Sequence, residues 1–336
     1  MGKHNLPMIL CHGKEGMSAP LKQNISNTNR MAVKNHSFLK ELNYQKYLFI
    51  MLLPGVIWLI VMCYGPLYGI IIAFKDYNPG KGILASPWVG LKYFNELFND
   101  PFFGNALRNT LVISVLKLAV GFPAPIVFAL MLSELKSIAF KRTVQTISYM
   151  PYFLSWAFVA SFLITFFSDG GFINKIILQL GLTNEPVSFL GQELPFVLVI
   201  LLSDVWKNFG YGSIIYLAVI VSIDPQLYEA AIMDGATRWK RIWHITLPSI
   251  KPTVAILLIL SISGIINANF EQFYLLQNQL VMDWARVLNV YTYEVGLQKG
   301  RFSYGTAVGL FTSLSSMLLL IIANASSRKL TGESIY

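Results

Sequence analysis

Four stretches of the 336-residue chain contain no Asp, Glu, Lys or Arg: Tyr47 to Phe74, Thr143 to Ser168, Pro252 to Phe270 and Phe302 to Ser327. Each is rich in Leu, Ile, Val and Phe, and each is about as long as the roughly 20 residues a helix needs to cross hydrocarbon. In lipid the backbone has no water to bond, so a run of this length satisfies its N–H and C=O groups as a helix. Two weaker stretches complete the pattern. Leu107 to Leu135 is interrupted only by Arg108, Lys117 and Glu134, and Pro195 to Ile223 only by Asp204 and Lys207. The expectation is an all-α membrane protein with six transmembrane helices near 47–72, 107–135, 143–168, 195–222, 252–271 and 302–327. Composition agrees: 13% charged residues and a mean hydropathy of +0.54 exclude an ordinary water-soluble globule, for which about a quarter charged is usual.

Lys and Arg set the expected orientation, because their excess belongs on the cytoplasmic side. The N-terminal segment, the loop from Lys136 to Arg142, the loop from Asp224 to Lys251 and the end at Arg328 and Lys329 hold 16 of the 26 basic residues, and the three opposite loops hold seven. Both termini are therefore expected in the cytoplasm. Basic flanks of membrane helices also account for the net charge of +9 without a nucleic-acid partner. Residues 1–38 read as a flexible basic cytoplasmic tail with no apolar core of a cleavable signal peptide, and 39–336 as one transmembrane domain. Cys11 in the tail and Cys63 in the first helix have neither disulfide nor metal-ligand spacing.

The chain is not expected to be an enzyme. His4, His12, His36 and His244 lie in the tail or a cytoplasmic loop without the H-E-x-x-H spacing of a zinc hydrolase. The Gly-Lys pairs at Gly2, Gly13 and Gly80 lack the upstream Gly and following Ser or Thr of a phosphate-cradling loop. No metal site or resident cofactor is expected, and any ATP and Mg would be bound by another subunit.

The loop 223–251 is the most informative segment. Asp224-Pro225 is a helix-start signal, with Asp as cap and Pro at the first helical position. Gln226 to Met233 then form two turns that stop at Asp234-Gly235, where glycine accepts the left-handed conformation a reversal needs. A second short helix follows from Thr237, with Trp239, Ile242 and Trp243 on one side, and Leu247-Pro248 and Lys251-Pro252 are expected to break the chain before it re-enters the membrane. Small residues at Ala230, Ala231 and Gly235 would let another protein approach closely; an amphipathic loop on lipid headgroups is the physical alternative.

Glu229-Ala230-Ala231, Gly235, Ile245, Leu247 and Pro248 match E-A-A-x3-G-x9-I-x-L-P, the EAA motif of permease subunits of binding-protein-dependent ABC importers. From about Leu42 onward the chain resembles the LplB/YteP-like branch of maltose-type permeases. The resemblance is carried by Leu53-Pro54, Tyr64-Gly-Pro-Leu-Tyr-Gly, Ala73-Phe-Lys-Asp-Tyr-Asn-Pro-Gly, Pro87-Trp-Val-Gly-Leu-Lys-Tyr-Phe, Asn109-Thr-Leu and Gly121-Phe-Pro-Ala-Pro. Permeases of alginate importers are similar candidates. The resemblance implies a maltose-type (type I) ABC importer permease fold in a bacterial inner or cytoplasmic membrane. Its implied partners are a second homologous permease, a homodimeric cytoplasmic ATPase, an extracytoplasmic solute-binding protein and an oligosaccharide substrate. It also implies that the helix from Leu227 to Met233 couples to the ATPase, with Glu229 and Asp234 free to pair with it and Gly235 setting the turn.

Polar groups inside the spans mark the expected substrate path, because they are costly in hydrocarbon and normally face a wet interior. Asp204, Lys207 and Tyr211 fall at i, i+3 and i+7, so Asp204 and Lys207 are expected to pair on one face, with Asn208 beside them. Ser263, Asn267 and Phe270 are expected to share a face of the fifth helix. Counted from the EAA motif, Asp204, Tyr211, Ser263 and Asn267 resemble sugar-contacting positions of maltose-type permeases. Lys117 and Lys207 inside spans suggest an acidic, uronate-type oligosaccharide. A non-sugar solute in the same architecture, or a self-sufficient channel or secondary transporter, are the alternatives.

Overall fold

The computed structural model describes residues 46–331; the expected tail at 1–38, with Cys11, lies outside them. The chain divides into two units, ending and starting at Gly65 and Pro66. The described part of the first is helix α1 (Lys46–Leu59), which contains Pro54, followed by a π turn at Ile60–Tyr64.

The second unit holds α2 (Lys92–Asn99), α3 (Pro101–Gly121), α4 (Pro123–Ser133), α5 (Ile138–Tyr149), α6 (Trp156–Phe167) and α7 (Phe172–Gln179). There follow α8 (Glu193–Val221), α9 (Pro225–Met233), α10 (Arg238–Arg241), α11 (Leu247–Ser263), α12 (Phe270–Leu276), α13 (Leu288–Thr292) and α14 (Phe302–Thr331). Among the described residues six segments are long and apolar enough to cross a membrane: Lys46–Phe74, Pro101–Ser133, Trp156–Gln179, Glu193–Val221, Arg238–Ser263 and Phe302–Lys329.

Local chemistry places the helix starts. Asp100 caps α3 by accepting from the Phe102 N–H at 2.9 Å, with Pro101 in the first turn, and Asp224 does the same for α9 through Gln226 at 2.9 Å. A proline divides the second span and another precedes the third. Phe122 separates α3 from α4 ahead of Pro123, and a 3₁₀ turn at Met150–Phe153 containing Pro151 separates α5 from α6. The third span thus runs over Trp156–Gln179 and not over 143–168 as the charge gap suggests, because the uncharged residues at the turn before α6 hide where it starts and Asp169 and Lys175 fall inside it. The fifth span corrects the sequence reading in the other direction. Helix runs from Arg238 through a π turn at Ile242–Thr246 into α11, so Leu247-Pro248 and Lys251-Pro252 do not break it. The wider π turn accommodates the missing proline N–H, with Leu247 N–H bonding to Ile242 O.

α8 is the axis of the unit. It packs against α3, α4, α5 and α11, and a Cβ on its Gly210 would collide with the Ser148 carbonyl of α5. Its 29 residues extend about 43 Å at 1.5 Å per residue, more than the roughly 30 Å of hydrocarbon. Three apolar clusters lie along the unit. One joins Ile113, Trp156, Phe196, Ile200 and Phe273; a second joins Tyr93, Leu97, Phe103, Leu288, Tyr304 and Val308; a third joins Leu132, Tyr216, Ile220 and Ile250.

Buried polar groups tie the connecting loops to these helices. Asn109 Nδ2 donates to the carbonyls of Asp283 (2.5 Å) and Arg286 (3.2 Å), and Thr110 Oγ1 accepts from Leu288 N–H at 2.8 Å. Asp100 also accepts from the hydroxyls of Tyr291 and, at 3.0 Å, Tyr304. Burial alone would raise the Asp100 carboxyl, but the bonds from Tyr291, Phe102, Tyr304 and Phe103 outweigh it and hold the group below the usual carboxylate range.

Candidate functional site

A cavity of about 420 Å³ opens where α3, α4, α8 and α11 meet the segment after Ser263. Its wall carries Lys117, Asp204, Asn208, Asn267 and Asn269 on an otherwise mostly apolar lining. Lys117 Nζ lies 3.1 Å from Asp204 Oδ1 and 2.5 Å from Gln272 Oε1, and 5.2 Å from the centre of the Phe273 ring. Gln272, fully buried, passes the network on by donating to Ile200 O (2.9 Å) and Ser203 Oγ (3.0 Å). A cation and an anion held together in this way carry little net charge. They leave hydrogen-bonding capacity in a membrane interior at a lower cost than either ion alone.

Lys117, Asp204, Asn208 and Asn267, expected from the sequence, therefore meet at one place. Lys207 does not join them, and the expected Asp204–Lys207 pair is replaced by Lys117–Asp204. Lys207 is 6% exposed and turns to the break between α5 and α6, donating to the carbonyls of Pro151 (3.2 Å), Tyr152 (2.8 Å) and Leu154 (2.5 Å). A helix end leaves carbonyls without intrahelical partners, and an ammonium with three protons fits them. Its stem also brings the charge within 5.6 Å of the Tyr152 and Trp156 ring centres. Tyr211 stacks on Tyr152, ring centres 3.9 Å apart and planes 5° from parallel.

The expected common face of Ser263, Asn267 and Phe270 does not form, because α11 ends at Ser263 and the chain turns at Gly264. Ser263 bonds back to Leu260 O at 2.7 Å and lines neither this cavity nor its neighbour. Asn267 and Phe270 instead line a second cavity of about 540 Å³ against α13 and α14. Asn269, a polar group of the same stretch outside the expected face, lines the first cavity, and sequence reasoning missed Gln272. Gln272 follows the end of the charge-free run, and only the fold turns that stretch inward.

The loop between α8 and the fifth span forms a separate projection. α9 buries none of its residues, and Met233 is 87% exposed. Gly235 ends it at φ 75°, with Ala236 N–H bonded to Ala231 O at 2.8 Å and Gly235 N–H to Ile232 O at 3.0 Å; this is the glycine-terminated reversal of a Schellman motif. Glu229, Ala230, Asp234 and Pro248 are exposed, and Ala231, Ile245 and Leu247 half-buried. Tyr228 braces the projection through a 2.9 Å bond to Thr246. An exposed, internally braced two-turn helix with small residues on its surface is a shape another protein can grip.

The family described as "Binding-protein-dependent transport system inner membrane component" matches residues 121–332. The polygalacturonan/rhamnogalacturonan transport system permease protein YteP of Bacillus subtilis (strain 168) is 45% identical over 304 residues, covering 90% of this chain and 94% of the relative. Protein LplB of the same organism is 42% identical over 306 residues, covering 91% and 96%. Among solved structures, a chain of a bacterial ABC transporter involved in the import of the acidic polysaccharide alginate superposes with a TM-score of 0.81 at 39% identity, covering 87% of this chain and 99% of the other. A chain of a bacterial alginate ABC transporter in complex with an alginate pentasaccharide-bound periplasmic protein gives the same TM-score at 38% identity, covering 89% and 99%.

Proposed function

The chain belongs to the binding-protein-dependent transport system inner membrane component family, and from that premise we propose that it is the permease subunit of an ATP-driven importer of oligosaccharides in a bacterial inner membrane. It is a multi-pass membrane protein and not an enzyme; ATP and Mg are bound by a separate homodimeric ATPase. A second, homologous permease completes the pathway, and an extracytoplasmic binding protein delivers the sugar.

The observation that carries this reading is the cavity around Lys117–Asp204, which sets amides and a compensated ion pair among apolar walls within the membrane-spanning helices. Sugars combine apolar C–H faces with hydroxyl edges, so they suit such a lining. The exposed helix α9, with Glu229 and Asp234 on it and at its end, is the coupling element that seats in the ATPase. Both termini lie on its cytoplasmic side, in line with the basic flanks.

The substrate is an acidic, uronate-containing oligosaccharide. Support comes from the substrates named for the relatives, polygalacturonan, rhamnogalacturonan and alginate, and not from the intramembrane lysines. Asp204 balances Lys117, and backbone carbonyls occupy Lys207.

The test is reconstitution of the permease with its partner permease, ATPase and binding protein in proteoliposomes. ATP-dependent uptake of galacturonate or mannuronate oligomers in preference to neutral oligosaccharides of equal length is expected. Uptake of amino acids or phosphate esters alone would refute the sugar reading, and solute flux through the purified chain without the ATPase would refute the ATP-driven one. Cysteine labels at Ala139 and Thr237 are expected to react only from the cytoplasmic face, and labels at Ile83, Thr183 and Asp283 only from outside.

A further inference from the structure

The second cavity, of about 540 Å³, meets the first at Asn267, which lines both. Its lining includes Phe270 from α12, Asn289 and Thr292 from α13, Tyr293 after it, and Thr306 and Gly309 from α14. On the orientation proposed above it is the outer of the two. α14 starts outside at Phe302, and Thr312, ten residues on, is about 15 Å deep, whereas Lys117 lies about 24 Å along its span from Pro101.

One wall is aromatic. Phe270 and Tyr293 meet with ring centres 5.2 Å apart, and Tyr274 packs against both, at 5.1 Å from Phe270 and 5.2 Å from Tyr293. The facing wall is kept open by glycine: a Cβ on Gly305 would come within 2.6 Å of Gly296 Cα, and one on Gly309 would meet nothing within 4 Å. The helices thus approach at Gly296–Gly305, and the groove beside them stays wide enough for a flat ring.

The polar groups have a defined hydrogen-bonding sense. Asn289 Nδ2 donates to Ala268 O at 2.8 Å, Thr292 Oγ1 to Leu288 O at 2.7 Å and Thr306 Oγ1 to Phe302 O at 2.8 Å. Both threonine protons and one of the two Asn289 N–H protons are used within the protein, so the two threonine oxygens and Asn289 Oδ1 are left as acceptors beside a single amide N–H. Among the described residues no Lys or Arg lines the cavity. Three acceptors and no cation do not suit a carboxylate; they suit O–H donors presented at the edge of an apolar ring.

Resting on the sugar-import reading, we propose that this cavity is a second, outer sugar subsite: Phe270 and Tyr293 stack one pyranose ring, and Asn289, Thr292 and Thr306 accept its hydroxyl protons. A chain seated in both cavities passes Asn267, so the pathway binds two or more sugar units at once and reads hydroxyls rather than charge in the outer position.

The experiment compares uptake of two-unit and four-unit galacturonate oligomers by the reconstituted full complex carrying Tyr293→Leu, Tyr293→Phe or Thr306→Val. Loss of an aromatic contact of about 1.4 kcal/mol is tenfold in affinity. Tyr293→Leu is therefore expected to raise the apparent KM for the four-unit oligomer up to about tenfold more than for the two-unit one, and Tyr293→Phe to restore it. Thr306→Val, which keeps the shape and removes one acceptor, is expected to act in the same length-dependent sense and serves if the leucine variant does not assemble. Equal effects on both lengths, or none, would overturn the subsite. If the parent complex takes up no oligosaccharide at all, the sugar-import reading itself fails, which is a different result.

Discussion

Replacing Lys207 by methionine removes the ammonium while keeping an unbranched side chain. In the structure this ammonium is the donor to Pro151, Tyr152 and Leu154. Pro151 O also accepts from Leu154 N–H at 3.2 Å, so the substitution orphans two carbonyls, those of Tyr152 and Leu154, at the turn ahead of the third span. A buried acceptor left without a donor costs about 1–3 kcal/mol, and hydrogen bonds inside membrane proteins fall toward the lower part of that range. The expected loss is about 2–4 kcal/mol, which by the scale of ordinary domains is a fall in Tm on the order of 5–10 °C. The Tyr152–Tyr211 stack loosens with it, because the lysine holds the turn that carries Tyr152. Thermal unfolding of the detergent-purified complex, followed by tryptophan fluorescence, reads the first effect. Uptake of acidic and neutral oligosaccharides of equal length reads whether the charge also reaches the substrate. The structure predicts a lower Tm and an equal proportional loss for both sugars. An unchanged Tm together with a selective loss of acidic uptake would show that Lys207 binds substrate and that the capping assignment is wrong.

Gly235→Pro cannot adopt φ 75°, since proline fixes φ near −65°; loss of binding-protein-stimulated ATP hydrolysis, or of complex assembly, is expected while the chain still inserts, and normal values of both would refute the coupling role of α9. Gly305→Val forces a Cβ against Gly296 Cα and is expected to cost about 1–3 kcal/mol by overpacking, whereas Gly309→Ala, facing open space, should leave the thermal midpoint within error. The carboxyl of Asp100 lies below the usual carboxylate range in the folded protein, so its contribution is present above the unfolded value and is lost as pH falls through the folded one. The parent should therefore lose thermal stability more steeply than Asp100→Asn as pH falls below the ordinary carboxylate range, and parallel profiles would contradict the bonding to Tyr291 and Tyr304.

The membrane spans and the shape of the α9 loop were legible in the amino-acid order because both depend on local physics. An uncharged run of Leu, Ile and Val has the same meaning wherever it folds, Asp224-Pro225 caps a helix using atoms two residues away, and Gly235 reverses a chain by its own φ. Polar partners inside the membrane depend on more. Asp204 has Lys207 three residues ahead on its own helix, yet it pairs with Lys117, 87 positions earlier in the chain. What decides this is the break between α5 and α6, which places bare carbonyls beside Lys207 and gives that ammonium a set of acceptors already buried and fixed. Gln272 was invisible for a related reason: only the turn at Gly264, after α11 has ended, brings α12 back against α8 and sets the Gln272 amide between Lys117 and Ile200. Sequence determines which segments leave water, because that depends on each residue's own transfer free energy. Tertiary structure decides which buried polar group satisfies which, because hydrogen bonds require distance and direction across helices, and those follow from the rotation and breaks of several spans together.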